Sequence, residues 1–409
     1  MKKSKRILIV LIITVIAIAF IPRFYREATA PNHIKNFNKE QALEDYDYLW
    51  DTLEENYPLL GLAEREYNIN RIQIKSKYRS QISNISNIDL NKFYSILERL
   101  LFEYKYMGHL NIVNPKLFVS MNLQTKSMTK REIANYGITN YIDPSVVYTY
   151  EYFLGRKLPQ NLEESKRAND DNLIFKEIDQ NNKLVIINSF RNEFIDEDNI
   201  ILHDFFENTP DSSNIIIDLT KNGGGSDLYW MDNIVAPNIG MTLIGEDREV
   251  LTKDIDLISN YKNYVDNFTN DLTKYREVIN SEDLSELKYS FTIRSPYNIS
   301  PSNDQPLFNG KIYVLISLNS QSATDGFIKF CKDTGFATLV GTRSGGNGPA
   351  LNIIEDKLPN SNLLFRYQVD YTLNSDYSPN ALYGEEADII SLPDEKPIDT
   401  FKRIVLNGN

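Results

Sequence analysis

Apolar residues begin to recur at intervals of three and four just beyond position 38. Leu43, Tyr46, Leu49, Trp50, Leu53 and Tyr57 trace one helical face, with an Asn38/Gln41 capping box ahead of it and Pro58 at its end. A second helical stretch covers about 67–83. A third starts after Asp89 and sets Phe93, Ile96, Leu97, Leu100, Leu101 and Tyr104 on one side. Gly108 closes it, and His109 opens a short strand over 110–113. Residues 116–180 are polar and weakly patterned and read as a connection. Beyond them the period changes: 184–188, 215–219, 312–318 and 337–341 read as buried strands, 200–206 and 322–333 as helices. Strands alternating with helices predict an α/β layout on a parallel or mixed sheet. Residues 244–300 are charged and tyrosine-rich with helical spacing, which predicts an inserted lid or arm rather than core.

At 409 residues the chain is long enough for two or three packed units. Hydrophobic residues make up 42% and charged ones 24%, as in an ordinary globular body. The net charge of −12, with no basic stripe among aromatics, excludes nucleic acid as a partner. The single cysteine, Cys331, has no internal partner and falls among apolar helix positions as a small buried hydrophobe. Three histidines without metal-ligand spacing leave no zinc site, and neither a metal nor an organic cofactor is required.

The N-terminus changes the picture of location. Lys2, Lys3, Lys5 and Arg6 precede an uncharged apolar run over 7–21, followed by Pro22 and Arg23, the pattern of an export signal. The run is shorter than the roughly 20 residues of a full span. Ala28-Thr29-Ala30 offers a small-x-small site, but Pro31 hinders cleavage. The expectation is a retained anchor over residues 1–30 with everything after it outside the membrane, or a secreted chain if the segment is removed.

Three places could carry chemistry. Residues 218–226 (DLTKNGGGS) leave a buried strand through three glycines, whose N–H groups can approach an oxyanion or a phosphate. The Gly-Lys-Ser/Thr that a phosphate loop needs is missing, and the plain alternative is a flexible connection. Ser322 stands between a strand and a helix. With Asp325 three residues on it reads as a helix-capping box, or as an exposed nucleophile beside the N–H of Ala323. Serine needs a base. His109, after a glycine break, is the leading candidate, ahead of His33 in the linker and His203 within a helix.

At these residues the chain resembles the tail-specific, C-terminal-processing and tricorn-type serine peptidases. Residues 215–226 are similar to that family's strand and glycine turn, and Ser322-Ala323-Thr324-Asp325 to its Ser-Ala-Ser-Glu nucleophile segment. Asp333-Thr334-Gly335, Ser344-Gly345-Gly346 and residues 384–388 (GEEAD) resemble later landmarks, with Ala387 where the family usually has proline. The likeness covers about 38–115 and 180–395. Members with a Ser/Lys dyad carry the lysine 25 residues after the serine; here that place is Asn347. The tricorn-like branch pairs serine with an earlier histidine, and His109 stands at the matching Gly-His position. Nothing resembles an intact PDZ module.

The resemblance implies a crotonase/ClpP-like protease core over 181–395, with the insertion at 244–300, behind an N-terminal helical subdomain over 38–115. It implies a serine-type peptidase acting on polypeptides through a Ser322 acyl-enzyme. His109 would be general base, Gly223, Gly224 and Ala323 the oxyanion donors, and Glu386 the residue orienting His109, with Asp325, Glu385 and Asp388 as alternatives. The rival readings are a non-catalytic ligand- or peptide-binding protein on the same fold and an acyl-group enzyme such as a hydratase.

Overall fold

The stripe that begins at Leu43 becomes the helix Lys39–Asn56 in the computed structural model, which describes residues 32–126, 128–135, 137–160, 172–254, 256, 265–348 and 353–408. Asn38 accepts from the N–H groups of Glu40 and Gln41, and Gln41 returns the bond, so the capping box is complete. The helices Leu60–Glu66, Arg71–Asn84 and Leu90–Phe102 follow, the last with its whole apolar face buried. The expected export segment lies outside the described residues. Among those described, no helix is long and apolar enough to cross a membrane.

The strand–helix alternation builds a six-stranded mixed sheet. In spatial order it runs Ile389–Ile390, Thr338–Gly341, Lys311–Ile316, Asn214–Asp218, Asn182–Ile187 and Leu173–Asp179; the last pair is antiparallel and the rest are parallel. Its central strands are apolar on both faces, as a sheet covered by helices requires. Leu315 pairs with Asp218 and Ile316 with Gly341. Three strands therefore end side by side, and the turns that follow them, 219–226, 317–322 and 342–348, share one rim. Ligands of parallel sheets bind at such carboxyl ends.

Two antiparallel sheets form the other half. Asn111–Ile112, Leu364–Gln368 and Ile353–Lys357 make one; Asp370–Thr372, Arg248–Thr252, Tyr289–Ile293 and Val265–Thr269 make the other. The chain passes from the first to the second through Val369.

Residues 244–300 differ from the expected arm. Val250, Leu251, Tyr275, Ile279, Phe291 and Ile293 are buried in the same core as Leu49, Trp50 and Leu97. Arg248–Thr252 is buried at every position but Glu249, so the charge of this segment does not mark a solvent-exposed arm. The described residues between 115 and 154 are likewise more regular than their pattern suggested. The helices Pro115–Thr125 and Pro144–Leu154 close a small core in which Phe118 stacks on Tyr150 at 3.9 Å.

Candidate active site

Ser322 heads the helix Ala323–Thr334 with φ 57° and ψ −128°. Non-glycine residues rarely occupy this region, and doing so costs of order 1–3 kcal/mol. The side chain makes no capping bond. Asp325 turns instead to Ser344 Oγ and to Asn380 Nδ2, so the expected capping box does not form. The backbone is held by the Ser322 N–H donating to Gly346 O at 3.2 Å and by Ser322 O accepting from Gly326 N–H at 3.0 Å. Released from capping, the hydroxyl points across to the other half of the molecule.

There it meets an imidazole: Ser322 Oγ lies 3.2 Å from His109 Nε2, across 213 positions of sequence. The loop carrying His109 is itself unusual. Lys105, Tyr106, Gly108 and His109 have φ of 52°, 61°, 54° and 60°, four left-handed residues in five. Side chains hold it there. Tyr57 OH donates to Met107 O at 2.5 Å, Asn111 Nδ2 to His109 O at 2.7 Å, and Asn347 Oδ1 accepts from Gly108 N–H at 2.8 Å. Burial, and then the positive charge of Arg366, pushes the imidazole pKa from 6.5 down to about 3, with the Gln368 side chain pulling the other way. His109 is thus neutral at physiological pH, with Nε2 free to accept a proton if Nδ1 carries the ring hydrogen. Its Nδ1 is buried with no hydrogen-bond partner.

The glycine turn lies directly against the serine. Gly224, at φ 98°, leaves no room for a side chain: a Cβ there would sit 2.8 Å from Ser322 Cβ and 2.7 Å from Gln321 O. Buried Asn222 is the keystone of this turn. Its Oδ1 accepts from Gly224 N–H at 2.9 Å and from Thr324 Oγ1 at 2.8 Å, and its Nδ2 donates to Ile187 O at 3.1 Å. The Gly224 N–H, expected among the oxyanion donors, is therefore already committed. The N–H groups of Gly223 and Ala323 have no acceptor among the described residues, and a Cβ on Gly223 would meet open space.

The acidic residues separate clearly. Glu386, expected to orient His109, is exposed, with Arg343 at 4.0 Å as its charge partner. In 384–388 Gly384 and Ala387 face inward and Glu386 outward. Asp388 receives Lys332 at 2.6 Å and the Leu339 N–H at 2.9 Å, and so ties the sheet edge. Glu385 is half-buried, and burial raises its pKa to about 7. None of these carboxylates is a hydrogen-bond partner of His109. His203 Nε2 faces Asn199 Nδ2 at 3.4 Å, one turn back on its own helix. Cys331 is buried and free, and its thiol is pushed up by burial. The sequence reading missed the role of Asn347, noted there only as a missing lysine, and did not reach Gln368.

A family model described as Peptidase family S41 matches residues 184–390, slightly over half of the chain. The chain belongs to this family of tail-specific, C-terminal-processing peptidases, and it is a serine peptidase acting on polypeptides. Among solved structures, mature CPAF complexed with lactacystin aligns with a TM-score of 0.53 at 14% identity, over 90% of this chain and 97% of that one. Mature CPAF by itself gives 0.52 at 14%, over 86% and 92%. These likenesses show a shared fold. The photosystem II D1 C-terminal processing protease aligns at 0.38 and 10% identity, over 89% and 97%. No curated protein matches.

Proposed function

We propose that the chain cleaves polypeptides through an acyl-enzyme on Ser322, with His109 as general base. The observation that carries this reading is the 3.2 Å approach of Nε2 to Oγ at a serine freed from capping by its backbone conformation. Nε2 takes the hydroxyl proton as Oγ bonds to the scissile carbonyl carbon. The carbonyl oxygen becomes an oxyanion facing the Gly223 and Ala323 N–H groups; one such donor is worth about 10²–10³ in turnover. Collapse breaks the C–N bond, and the imidazolium returns its proton to the departing amine. Water then enters by the same proton transfers and releases the acid, restoring Ser322.

The test is labelling of the purified chain by a fluorophosphonate, read by intact mass and peptide mapping, beside hydrolysis of an unstructured polypeptide. We expect one adduct, on Ser322, lost in Ser322→Ala and reduced at least 10²-fold in His109→Ala. No adduct at any pH between 6 and 9 would sink the scheme and leave a binding protein on this fold.

The basic start and apolar run over 7–21 support a location outside a membrane, tethered by that segment. Protease accessibility on intact cells tests this; a chain protected until lysis refutes it.

A further inference from the structure

The antiparallel pairing that delivers His109 also delivers a partner for its far side. Asn111 pairs with Arg366 and Ile112 with Phe365, so the strand that follows His109 runs beside the strand that ends at Gln368. Gln368 is buried there. Its Nε2 donates to Asp370 O at 2.9 Å and to Asp370 Oδ2 at 3.0 Å, and Asp370 Oδ2 also takes Thr372 Oγ1 at 2.6 Å. A backbone carbonyl can only accept, so the amide nitrogen must face Asp370 and Oε1 must face the other way. Gln368 Oε1 and His109 Nδ1 are both buried with no hydrogen-bond partner, and the Gln368 side chain acts on the imidazole as a neighbouring acceptor that raises its pKa. Two buried orphans, one acceptor and one potential donor, are each destabilising unless they serve one another.

Resting on the function proposed above, we infer that Gln368, anchored by Asp370, is the positioning residue for His109. Its side-chain carbonyl accepts the Nδ1 proton of the imidazole and turns the Nε2 lone pair towards Ser322. A neutral amide thus occupies the place that the sequence resemblance gives to an acid. The charged groups around the ring fit this choice. Arg366 comes from the same strand as Gln368, and behind it lies Glu355 at 4.0 Å; Asp370 is the carboxyl beyond the amide. A carboxylate at 368 would favour the imidazolium, whereas an amide fixes the tautomer and leaves the ring neutral. This is consistent with the depressed imidazole pKa.

Two measurements decide it. Imidazole ¹⁵N shifts of the histidine-labelled wild-type chain, assigned with His109→Gln, report the tautomer without any need for activity; we expect the Nδ1-protonated form at pH 7. The Nε2-protonated form overturns the inference. In parallel, Gln368→Ala should slow fluorophosphonate acylation on the order of 10²-fold. Gln368→Glu should stay active while the acidic limb of its pH–rate profile moves up by at least about one unit. An unshifted limb in Gln368→Glu, or Gln368→Ala within threefold of wild type, also overturns it. If the wild type fails to label, the proposed reaction fails, while the tautomer still reports on Gln368.

Discussion

Asn347 joins the two halves of the site. Its Oδ1 receives the Gly108 N–H at 2.8 Å, its Nδ2 lies 3.5 Å from Tyr106 O, and the carbonyl of its neighbour Gly346 receives the Ser322 N–H at 3.2 Å. Asn347→Ala removes the acceptor and leaves the Gly108 N–H buried and unpaired, at a cost of roughly 1–3 kcal/mol. The loop cannot absorb this cost in place, because Lys105, Tyr106 and His109 already hold unfavourable left-handed angles. It relaxes, and the imidazole moves off the serine. At 1.36 kcal/mol per decade the loss corresponds to about 5- to 150-fold in acylation rate. Asn347→Asp keeps the acceptor and loses the donor, and should fall between wild type and alanine. Asn347→Lys, the residue of lysine-dyad relatives, presents only donors to a donor and should fall below alanine. The assay is the second-order rate of fluorophosphonate labelling at pH 7.5, with melting curves run alongside. An alanine variant labelled within twofold of wild type would refute the clamp, whatever its melting temperature.

Ser322→Ala should change unfolding free energy by less than about 0.5 kcal/mol, since no cap is lost, whereas a working cap would cost about 1; Ser322→Gly should gain about 1 by relieving the backbone. Urea melts distinguish these cases, and a clearly destabilised alanine variant would restore the capping reading. Gly224→Ala should abolish labelling, because its Cβ meets Ser322 Cβ, while Gly223→Ala, facing open space, should melt within about 1 kcal/mol of wild type; equal behaviour of the two would contradict the packing. Burial holds the Glu385 pKa at about 7, above the 4.5 of the unfolded chain. The folded state therefore keeps a proton that the unfolded state releases, and stability attributable to this group falls as pH rises from about 4.5 through 7. Glu385→Gln should stabilise more at pH 8 than at pH 5, and a pH-independent difference would count against it.

The parallel half of the fold was legible because each element announces itself locally. Residues 215–217 are all isoleucine and fully buried, and the glycine turn follows at once. The capping box at Asn38 and the stripe from Phe93 to Leu101 were equally plain. The antiparallel half was not. The strand that ends at Gln368 pairs with the residues just after His109 across more than 250 positions, which no local period encodes. Strands such as Arg248–Thr252 are short and buried at four of their five positions, polar ones included, so neither a two-residue period nor an apolar run marks them. At the site, the sequence pointed to Ser322 and His109, which the fold brings within 3.2 Å, but it put the expected orienting residue by family order at Glu386, which inward–outward alternation turns to solvent. Asn347 was noticed only as the absence of lysine, because what an asparagine side chain grips depends on a backbone brought from elsewhere.

Ser322 and His109, the proposed nucleophile and base, belong to different cores. Ala323 and Phe327, behind the serine, pack with the parallel sheet, whereas Met107 and Leu110, flanking the histidine, pack with the helices and the antiparallel strands. Neither core holds a reactive pair by itself. Chemistry arises only along their seam, so the two bodies could each remain well folded and yet be inert if they docked a few ångströms out of place.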